Sequence, residues 1–335
     1  MIYLLFSSIL WPSRLGMDAE QVFESCSVKP DIIDRNNPSA PLPGRNLVLV
    51  RAGAEHRISS LLGIPREQRS WDLAVSLYED ITFGGDACID FMHYCRGGKW
   101  DGIYSFFAAN SHLATAYDFF WLVDDDIETT PKQVEALFLY VRSHNFELAQ
   151  PALTLDSYYS HRLTLRCPGF SHRHTNLIEI MAPILSRRVL ERVMPLFATT
   201  RSGFGIDWYW QRVVDHPERA IAIIDAHPVG HRRLLRQHLR GIMRKDGVCP
   251  YEEREQLVKT LNLKCIHAIA TAGTLEDGRF VSSRFRMAWR MIGTYWHARR
   301  LITARPWTIE DFIIFGWRQI FKPLGRPAST STTMK

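Results

Sequence analysis

The feature that most constrains the fold of this chain is an apolar stretch that ends in three consecutive acids. Residues 117–123 are rich in aromatic and aliphatic side chains, and Asp124, Asp125 and Asp126 follow them directly. A short apolar run bounded by charged residues predicts a buried β-strand. Since ligands bind at the carboxyl ends of strands in open α/β sheets, the three acids are predicted to lie at a binding edge.

Three adjacent carboxylates repel one another and raise one another's pKa unless a cation or hydrogen-bond donors neutralise them. Alternation along an extended backbone directs Asp124 and Asp126 to one side and Asp125 to the other. Two carboxylates on one side suit Mg²⁺ or Mn²⁺, which commonly take one or two protein carboxylates plus phosphate oxygens. The acid run therefore predicts a divalent metal site.

A second interpretation is that the acids cap the next helix, whose start is predicted at Thr129, Thr130 and Pro131. Acids near a helix start also favour its dipole. A cap needs one acid and not three, so metal binding is favoured. Glu128 can serve the helix in either case.

Composition places the chain among ordinary globular proteins. It has 335 residues, 46% of them hydrophobic and 23% charged, which fits one large domain or one domain with an appendage. Six cysteines occur without a CxxC pair, so neither a disulfide framework nor a zinc site is indicated, and a reducing cytoplasm is expected. A net charge of +6 favours anionic partners.

Residues 1–44 are predicted to be a lead-in segment, because they are rich in proline towards their end. The apolar stretch 2–11 is too short to span a bilayer and lacks the basic start of a secretory signal. Met17 is an alternative start, just beyond it.

Apolar segments and amphipathic segments alternate over residues 45–246. This alternation predicts an α/β fold with a mainly parallel sheet covered by helices, and no internal repeat interrupts it. Strands are predicted at 46–50, 117–123, 178–185 and 220–224, and helices at 103–115, 131–143 and 186–196. Segments 71–78 and 80–83 continue the α/β-like alternation.

Two further acids are candidate functional residues. Glu179 lies within the apolar run 178–185, so its carboxylate must be paired, bound to a metal or directed into a cavity. Asp207 follows a glycine-rich turn at 202–205. It is interpreted either as a helix N-cap or as a general base or acceptor-binding carboxylate.

The strand at 220–224 is predicted to end in Asp225, followed by His227 and His231, which places ligand-capable groups on the same sheet edge as Asp126. Segment 157–175 is rich in His, Arg and aromatic residues without a clear period. It is predicted to be a loop that contacts substrate or a solvated polar loop. Its histidines, His172 and His174, lack the partners of a zinc site.

A run of basic residues follows His231, at spacings that place most of them on one helix face. Such a face suits a phosphate-bearing partner, although solvated basic helices are more common. The residues are Arg232, Arg233, Arg236, Arg240, Arg244 and Lys245.

The ordered motifs WLVDDDIE, QPAL, IEIMAPILSR, GFGIDW and IIDAHPVGH resemble the DUF707 group and related bacterial glycosyltransferase-like proteins. These in turn are similar to GT-A glycosyltransferases. The resemblance covers about residues 46–233 and implies a GT-A-like, Rossmann-like catalytic domain at 45–246.

The resemblance also implies roles for residues of the acid run. By analogy with the D-x-D acids of GT-A enzymes, Asp126 would bind Mn²⁺ or Mg²⁺ directly, and His231 would complete the coordination. Asp124 would contact the ribose or the metal shell, and Asp125 is grouped with it at the nucleotide. Arg51 and Lys99 would lie near the nucleotide.

The base that accepts the proton of the acceptor hydroxyl would be Asp207, with Glu179 in reserve. The resemblance thus implies a metal-dependent glycosyltransferase that moves a sugar from a nucleotide-sugar donor to a glycan or lipid-linked acceptor, in cell-surface polysaccharide assembly. One alternative is a phosphohydrolase of the haloacid dehalogenase type, although its D-x-D lies near the start of the fold. The other is a non-catalytic nucleotide-sugar-binding protein.

Residues 247–327 are predicted to form a helical C-terminal extension, and residues 328–335 a disordered tail. Segment 284–326 carries nine Lys or Arg against two acids, a local net charge of +7, so the rest of the chain sums to −1. Aromatic residues are interleaved with these charges. The pattern is typical of a peripheral membrane contact, at the cytoplasmic membrane, or of docking on the catalytic domain. No nucleic-acid-binding module is present.

Overall fold

A single β-sheet organises the residues described by this computed structural model, which are 45–84, 87–234, 247 and 249–324. The lead-in segment with Met17, the basic residues Arg236, Arg240, Arg244 and Lys245, and the tail at 328–335 lie outside the described residues. Eleven strands are described: β1 (Asn46–Ala52), β2 (Trp71–Leu77), β3 (Phe91–Tyr94), β4 (Phe119–Asp124), β5 (Ile127–Glu128), β6 (Leu148–Leu153), β7 (Phe170–Thr175), β8 (Ile184–Ser186), β9 (Ile221–His231), β10 (Ala270–Leu275) and β11 (Phe280–Val281).

Ten α-helices cover or flank the sheet within the described ranges. They are α1 (Ser59–Leu62), α2 (Lys99–Ala109), α3 (Ser111–Ala116), α4 (Pro131–Ser143), α5 (Arg187–Phe197), α6 (Ile206–Tyr209), α7 (Pro217–Ala220), α8 (Pro250–Thr260), α9 (Arg284–Ala298) and α10 (Ile309–Phe321).

The strand order is β11-β10-β7-β9-β6-β8-β4-β1-β2-β3, and β5 pairs with the end of β9. Strands β3, β2, β1 and β4 are parallel to one another. Strand β8 lies antiparallel between β4 and β6, so β6 and its parallel neighbour β9 run in the same direction as β4. The prediction of an α/β fold with a mainly parallel sheet is confirmed.

The central strands are apolar because both faces of the sheet are covered. All seven residues of β1 and all seven of β2 are buried, which is typical of parallel strands flanked by helices. Four of the six residues of β4 are buried, as the sequence predicts.

The helix after the acid run is capped without the acids. Thr130 is the N-cap of α4: its Oγ accepts from the Gln133 N–H (3.2 Å), and the Gln133 side chain accepts from the Thr130 N–H (2.9 Å). Pro131 is the first helical residue, and the first turn contains no acid. The capping interpretation of the acid run is therefore wrong, and Glu128 instead pairs with Arg57 and Arg232.

Two segments differ from the sequence prediction. Only Ile184–Ser186 of the predicted strand 178–185 is extended and paired, and Glu179 lies in the preceding loop. Segment 170–175, predicted as a loop, is strand β7 in the sheet. Its polar side chains find partners there: His172 Nδ1 lies 2.9 Å from the Tyr140 hydroxyl and His172 Nε2 lies 3.2 Å from the Thr274 hydroxyl.

Strand β9 is longer than predicted, because it continues to His231. Asp225 therefore lies in the middle of the strand and not at the sheet edge. Its carboxylate accepts two hydrogen bonds from Arg173, from Nε and Nη2, each 2.8 Å long. Both side chains are fully buried. The prediction that Asp225 and His227 lie beside Asp126 was therefore wrong. The His227 ring contacts the ring of Tyr140 instead.

The C-terminal extension docks on this buried ion pair. Arg173 Nη1 donates to the Tyr295 hydroxyl (3.2 Å), and that hydroxyl donates to Leu165 O (2.8 Å). Helix α10 is held by Gln319, whose side chain accepts from Ala270 N–H (2.9 Å) and donates to Ala268 O (3.2 Å). The extension is helical at α8, α9 and α10, as predicted. It also contributes β10 and β11, which the sequence analysis missed.

Within the described ranges, every helix is too short or too polar to cross a bilayer.

The Arg173→Met variant should lower the free energy of unfolding by about 3–5 kcal/mol, because it leaves the Asp225 carboxylate buried without its cation. The double variant Arg173→Met/Asp225→Asn should lose less, since the amide can still accept from the Cys167 N–H that binds Asp225 (2.7 Å). Urea unfolding measures both. Arg279→Ala breaks an exposed ion pair and serves as the control. An Arg173→Met midpoint equal to that of the control would contradict the prediction.

Candidate active site

The acid run lies at the carboxyl edge of the sheet, as predicted. Strand β4 ends at Asp124, and Asp125 and Asp126 form the turn into β5. Strand β5 then pairs with the end of β9, in a register that places Ile127 opposite His231. This pairing brings a residue more than a hundred positions later in the chain beside the acids.

Asp126 and His231 form the centre of the site. His231 Nε2 lies 3.2 Å from Asp126 Oδ2, and His231 Nδ1 lies 2.8 Å from Tyr158 O. Because both ring nitrogens face acceptors, the pair favours a protonated imidazole. For His231, burial acts to lower the pKa, but the hydrogen bond and charge of Asp126 are stronger. The net effect is a raised His231 pKa. For Asp126, burial acts to raise the pKa, but the hydrogen bond and charge of His231 and the charge of Arg233 are stronger. The net effect is a lowered Asp126 pKa.

Asp124 is bound by Lys99. Lys99 Nζ lies 2.7 Å from Asp124 Oδ1 and donates to the carbonyl oxygens of Leu122 (3.0 Å), Ile180 (2.6 Å) and Met181 (2.9 Å). An ammonium has three protons, and these four oxygen atoms share all of them. Burial raises the pKa of Asp124 to about 6, against the charge of Lys99, although 35% of its side chain stays exposed to solvent.

Asp125 lies in the turn after β4 and shares a cation with Asp126, since Arg233 Nη1 is 3.1 Å from Asp125 Oδ1 and 3.8 Å from Asp126 Oδ2, so the predicted strand alternation does not apply to it. It accepts from Gly53 N–H (2.8 Å), the Tyr78 hydroxyl (3.0 Å) and Arg233 Nη1 (3.1 Å). A side chain at position 53 would collide with the Tyr78 ring. Asp125 therefore ties the ends of β1 and β2 to the acid run. Two of these donors bind Oδ2 and one binds Oδ1, so most of the hydrogen-bonding capacity of Asp125 is used within the protein.

Arg51 is buried below the loop that leads to Lys99. Its guanidinium donates to the carbonyl oxygens of Cys95, Gly97 (3.2 Å) and Gly98 (3.1 Å) and to Ser76. Its side chain is directed into the protein and only 4% of the residue is exposed. Arg51 thus supports the start of α2, and the expectation of a direct nucleotide contact does not fit its surroundings.

Glu179 lies in the loop between β7 and β8 and is 4% exposed. Its Oε1 accepts from His161 N–H (3.1 Å), and its Oε2 is buried without a hydrogen-bond partner among the described residues. The nearby Thr164 hydroxyl donates to His161 O (2.8 Å) instead. Burial raises the pKa of Glu179 to about 7, with His231 opposing the shift and Asp207 adding to it.

Asp207 lies in the first turn of α6 and is half-buried. The turn before it requires glycine at Gly203 and Gly205, with φ of 71° and 98°, and a side chain at 203 would collide with Trp100. Burial raises the pKa of Asp207 to about 6, although the backbone N–H groups of Asp207, Gly205 and Trp208 and the charge of Arg254 oppose the shift. Both acids are therefore poised near neutral pH.

The residues at this edge form one electrostatic group. His231 influences the pKa of Glu179, as does Asp207, and Asp124 contributes to that of His231. The sequence analysis missed Tyr78, Gln150 and His161, which position the acids. Gln150 accepts from Glu179 N–H (2.6 Å). Arg233 also lies at the site, where it contacts Asp125 and Asp126. The only sequence signal for this was its position two residues after His231.

The loop beside the site also contacts the C-terminal extension. Tyr158 O faces His231, and the next residue, Tyr159, donates its hydroxyl proton to Arg305 O (2.9 Å) in the linker between α9 and α10. Arg162 forms an ion pair with Asp311 at the start of α10. Adjacent residues therefore join the site to the helix pair.

A divalent cation fits Asp126 and His231. Asp126 Oδ1 is buried without a hydrogen-bond partner among the described residues. The Tyr158 carbonyl would hold the Nδ1 proton of His231, so that Nε2 could act as a ligand once a cation displaces the proton that it shares with Asp126. No group of three or more His, Cys, Asp or Glu side chains within the described ranges is arranged to hold a metal. The remaining ligands would therefore come from phosphate oxygens and water, as is common for Mg²⁺.

A family model described as "Protein of unknown function (DUF707)" matches residues 98–267, half of the chain. The match includes Lys99, the acid run, Glu179, Asp207 and His231, and excludes Arg51. None of the curated proteins matches the sequence.

Several solved structures have a similar backbone trace. S. aureus TarS matches with a TM-score of 0.39 at 11% identity, covering 65% of this chain and 43% of that one. Its fragment 1–349 in complex with UDP-GlcNAc gives 0.39 at 10% identity, covering 65% and 72%. GalNAc-T7 with UDP, GalNAc and Mn²⁺ gives 0.42 at 10%, covering 64% and 47%. This chain thus spans less than half the length of TarS and of GalNAc-T7.

The Glu179→Gln variant should become more stable than the wild type as pH rises. The raised pKa means that the folded state holds the Glu179 proton up to about pH 7, while the unfolded state releases it near 4.5. Ionisation therefore costs the wild type stability across that window, on the order of 3 kcal/mol when complete. Gln retains an oxygen for the His161 N–H and cannot ionise.

Urea unfolding from about pH 4 to about pH 8 measures the difference between the two proteins. Glu255→Gln, at an exposed position of α8, is the control and should follow the wild type at every pH. A constant difference between Glu179→Gln and the wild type would contradict the prediction.

Proposed function

Because the chain belongs to the DUF707 family, whose matched region includes the acid run, we propose that it is a metal-dependent glycosyltransferase. It transfers a sugar from a nucleotide-sugar donor to a glycan or lipid-linked acceptor, in the assembly of cell-surface polysaccharide. The proposal rests on the ordered motifs of the sequence and on the arrangement of charges at the sheet edge.

One observation supports the proposal above the others: the buried pair Asp126–His231 with an unpartnered carboxylate oxygen. Asp126 and His231 would hold Mn²⁺ or Mg²⁺, with Asp124 in the surrounding shell through the oxygen that Lys99 does not bind. When bound, the cation supplies positive charge that neutralises the leaving diphosphate. Asp126 and His231 fix where that charge lies.

Glu179 is the base that this geometry supports best. A general base is most effective when its pKa lies near the working pH, and the pKa of Glu179 is raised to about 7. Its unpartnered Oε2 can accept the proton of an acceptor hydroxyl. Asp207, which the resemblance implies as the base, has backbone N–H groups around its carboxylate. We therefore rank Asp207 second, as a base or as an acceptor-binding group.

Lys99 and Arg51 act as positioning residues in this proposal. Lys99 joins the 180–181 loop to β4 and to Asp124, so it fixes the distance between Glu179 and the acid run. Arg51 holds the loop before Lys99. The cation of Lys99 also offsets the charge of Asp124 when no donor is bound.

Metal-linked nucleotide binding is the first test. With Mn²⁺, the melting temperature of the wild type should rise on addition of one or more nucleoside diphosphates or nucleotide sugars, because a ligand that binds only the folded state stabilises it. Asp126→Asn and His231→Gln should lose that shift. Asp156→Asn replaces a half-exposed acid on the same side of the protein, paired with Arg232, and should keep it.

Absence of a metal-linked shift with every nucleotide would overturn the donor-site proposal. Hydrolysis of small phosphoesters without a nucleotide sugar would favour the phosphohydrolase instead.

Turnover separates catalysis from binding. Glu179→Gln should lower kcat by about 10²–10⁴ while its metal-linked nucleotide shift remains. Asp207→Asn should have the smaller effect on kcat. Release of nucleoside diphosphate from the donor identified above measures both. Nucleotide binding without turnover by the wild type, over a panel of acceptors, would favour the non-catalytic binding protein.

A further inference from the structure

The large apolar side chains exposed on this protein are concentrated in one part of it. Of twelve such residues among those described, nine lie between Phe280 and Phe321. Monomeric soluble proteins rarely expose large contiguous apolar patches, and such patches generally mark interaction sites. The C-terminal helix pair therefore carries a candidate interaction surface.

Helix α10 is apolar on two sides. Its inner side buries Phe312, Phe315 and Gly316. Its outer side carries four apolar residues, each four positions after the last, with exposed fractions between 49% and 70%: Ile309, Ile313, Trp317 and Phe321. Residues at this spacing share one helix face. The docking of α10 on the sheet leaves that face uncovered by the described residues.

Helix α9 carries a matching stripe. Phe285 and Trp289 are 62% and 73% exposed, and Ile292 and Trp296 continue the stripe at helical spacing. The two helices pack together beside these stripes: a side chain at Gly316 would collide with Ile292, and the Trp296 ring lies 5.3 Å from that of Phe312. We call the combined surface the aromatic face, formed by Phe285, Trp289, Trp296, Ile309, Ile313, Trp317 and Phe321.

Basic residues border the aromatic face. Residues 284–322 contain eight Lys or Arg against two acids, a net charge of +6. Asp311 is already used, by the Thr308 cap and by Arg162. On the outer flank of α9, Arg286, Arg290 and His297 line an open hollow of about 1130 Å³ together with Trp289 and Phe170. The hollow lies away from the acid run and suits an anionic group.

We propose that the aromatic face docks on the surface of an anionic lipid bilayer. Tryptophan and phenylalanine insert at the boundary between headgroups and acyl chains, and bordering arginines attract anionic headgroups. Charge complementarity selects this partner. A second copy of the chain, packed face to face, would bring +6 against +6. A zwitterionic surface would leave the arginines without counter-charge.

This inference does not depend on the proposed function. The family match ends at residue 267, so α9 and α10 lie outside it, and bilayer binding requires neither metal nor donor. The Asp126→Asn variant should therefore bind vesicles as the wild type does, whether or not the glycosyltransferase proposal holds.

Co-sedimentation of the full chain with vesicles tests the proposal. The wild type should sediment with vesicles of phosphatidylcholine and phosphatidylglycerol, and much less with phosphatidylcholine alone. Ile313→Glu/Trp317→Glu should abolish binding, because it places two carboxylates in the acyl boundary. Leu139→Glu is the matched control, since Leu139 is 60% exposed on α4 and lies outside the aromatic face.

The basic border is tested separately. Arg286→Glu/Arg290→Glu should weaken partitioning by at least on the order of tenfold, because each cation near an anionic surface contributes to binding. Added salt should weaken the wild type in the same way. Circular dichroism and melting temperature confirm that the variants are folded.

Three results would overturn the proposal. The first is absence of sedimentation with phosphatidylglycerol vesicles. The second is equal binding by folded Ile313→Glu/Trp317→Glu and Leu139→Glu. The third is a dimer in solution that Ile313→Glu/Trp317→Glu dissociates, in a protein that does not bind vesicles, which would assign the aromatic face to a second copy.

Discussion

The buried ion pair between Arg173 and Asp225 is the interaction on which the arrangement of this protein depends. Both side chains are fully excluded from solvent, and an isolated charge in such surroundings is too costly to persist. Strands β7 and β9 supply the two charges, the 165–167 loop supplies a carbonyl acceptor and an N–H donor, and α9 supplies the Tyr295 hydroxyl. The charges are satisfied only when these parts are assembled together, and the C-terminal extension accordingly shares one hydrophobic core with the rest of the sheet.

Strand β9 connects this buried ion pair to the candidate active site. Asp225 in its middle anchors the strand, and His231 at its end faces Asp126. Asp125 anchors the other half of the sheet edge to β1 and β2. The acid run is thereby held from both halves of the sheet, and each of its three carboxylates has a cationic partner: Lys99 for Asp124, Arg233 for Asp125 and His231 for Asp126.

Sequence patterns predicted the features that depend on local chemistry. The apolar run before Asp124 defined β4, and Thr130 and Pro131 defined the start of α4. Strand alternation did not predict the direction of Asp125, because the strand ends at Asp124 and a turn follows. Features that depend on distant partners were not predictable in this way. The polar sequence of β7 gave no strand signal, because the partners of Arg173 come from β9 and α9. Lys99 and Arg51 were expected at the nucleotide, yet carbonyl groups that no sequence pattern reveals surround both. Glu179 was predicted to be a buried acid, but it was predicted to lie in a strand and not in a loop. The conformation of that loop depends on contacts with Gln150 and Lys99.

The contact of Tyr159 with the α9–α10 linker has a mechanical consequence. One peptide unit separates the carbonyl that faces His231 Nδ1 from the side chain that holds Arg305. A displacement of the α9–α10 linker that exceeds the length tolerance of a hydrogen bond breaks the Tyr159–Arg305 contact or shifts the Tyr158 carbonyl. A shift of that carbonyl moves the His231 imidazole that it binds. The position of His231 is in this way coupled to the packing of two helices that lie outside the candidate active site.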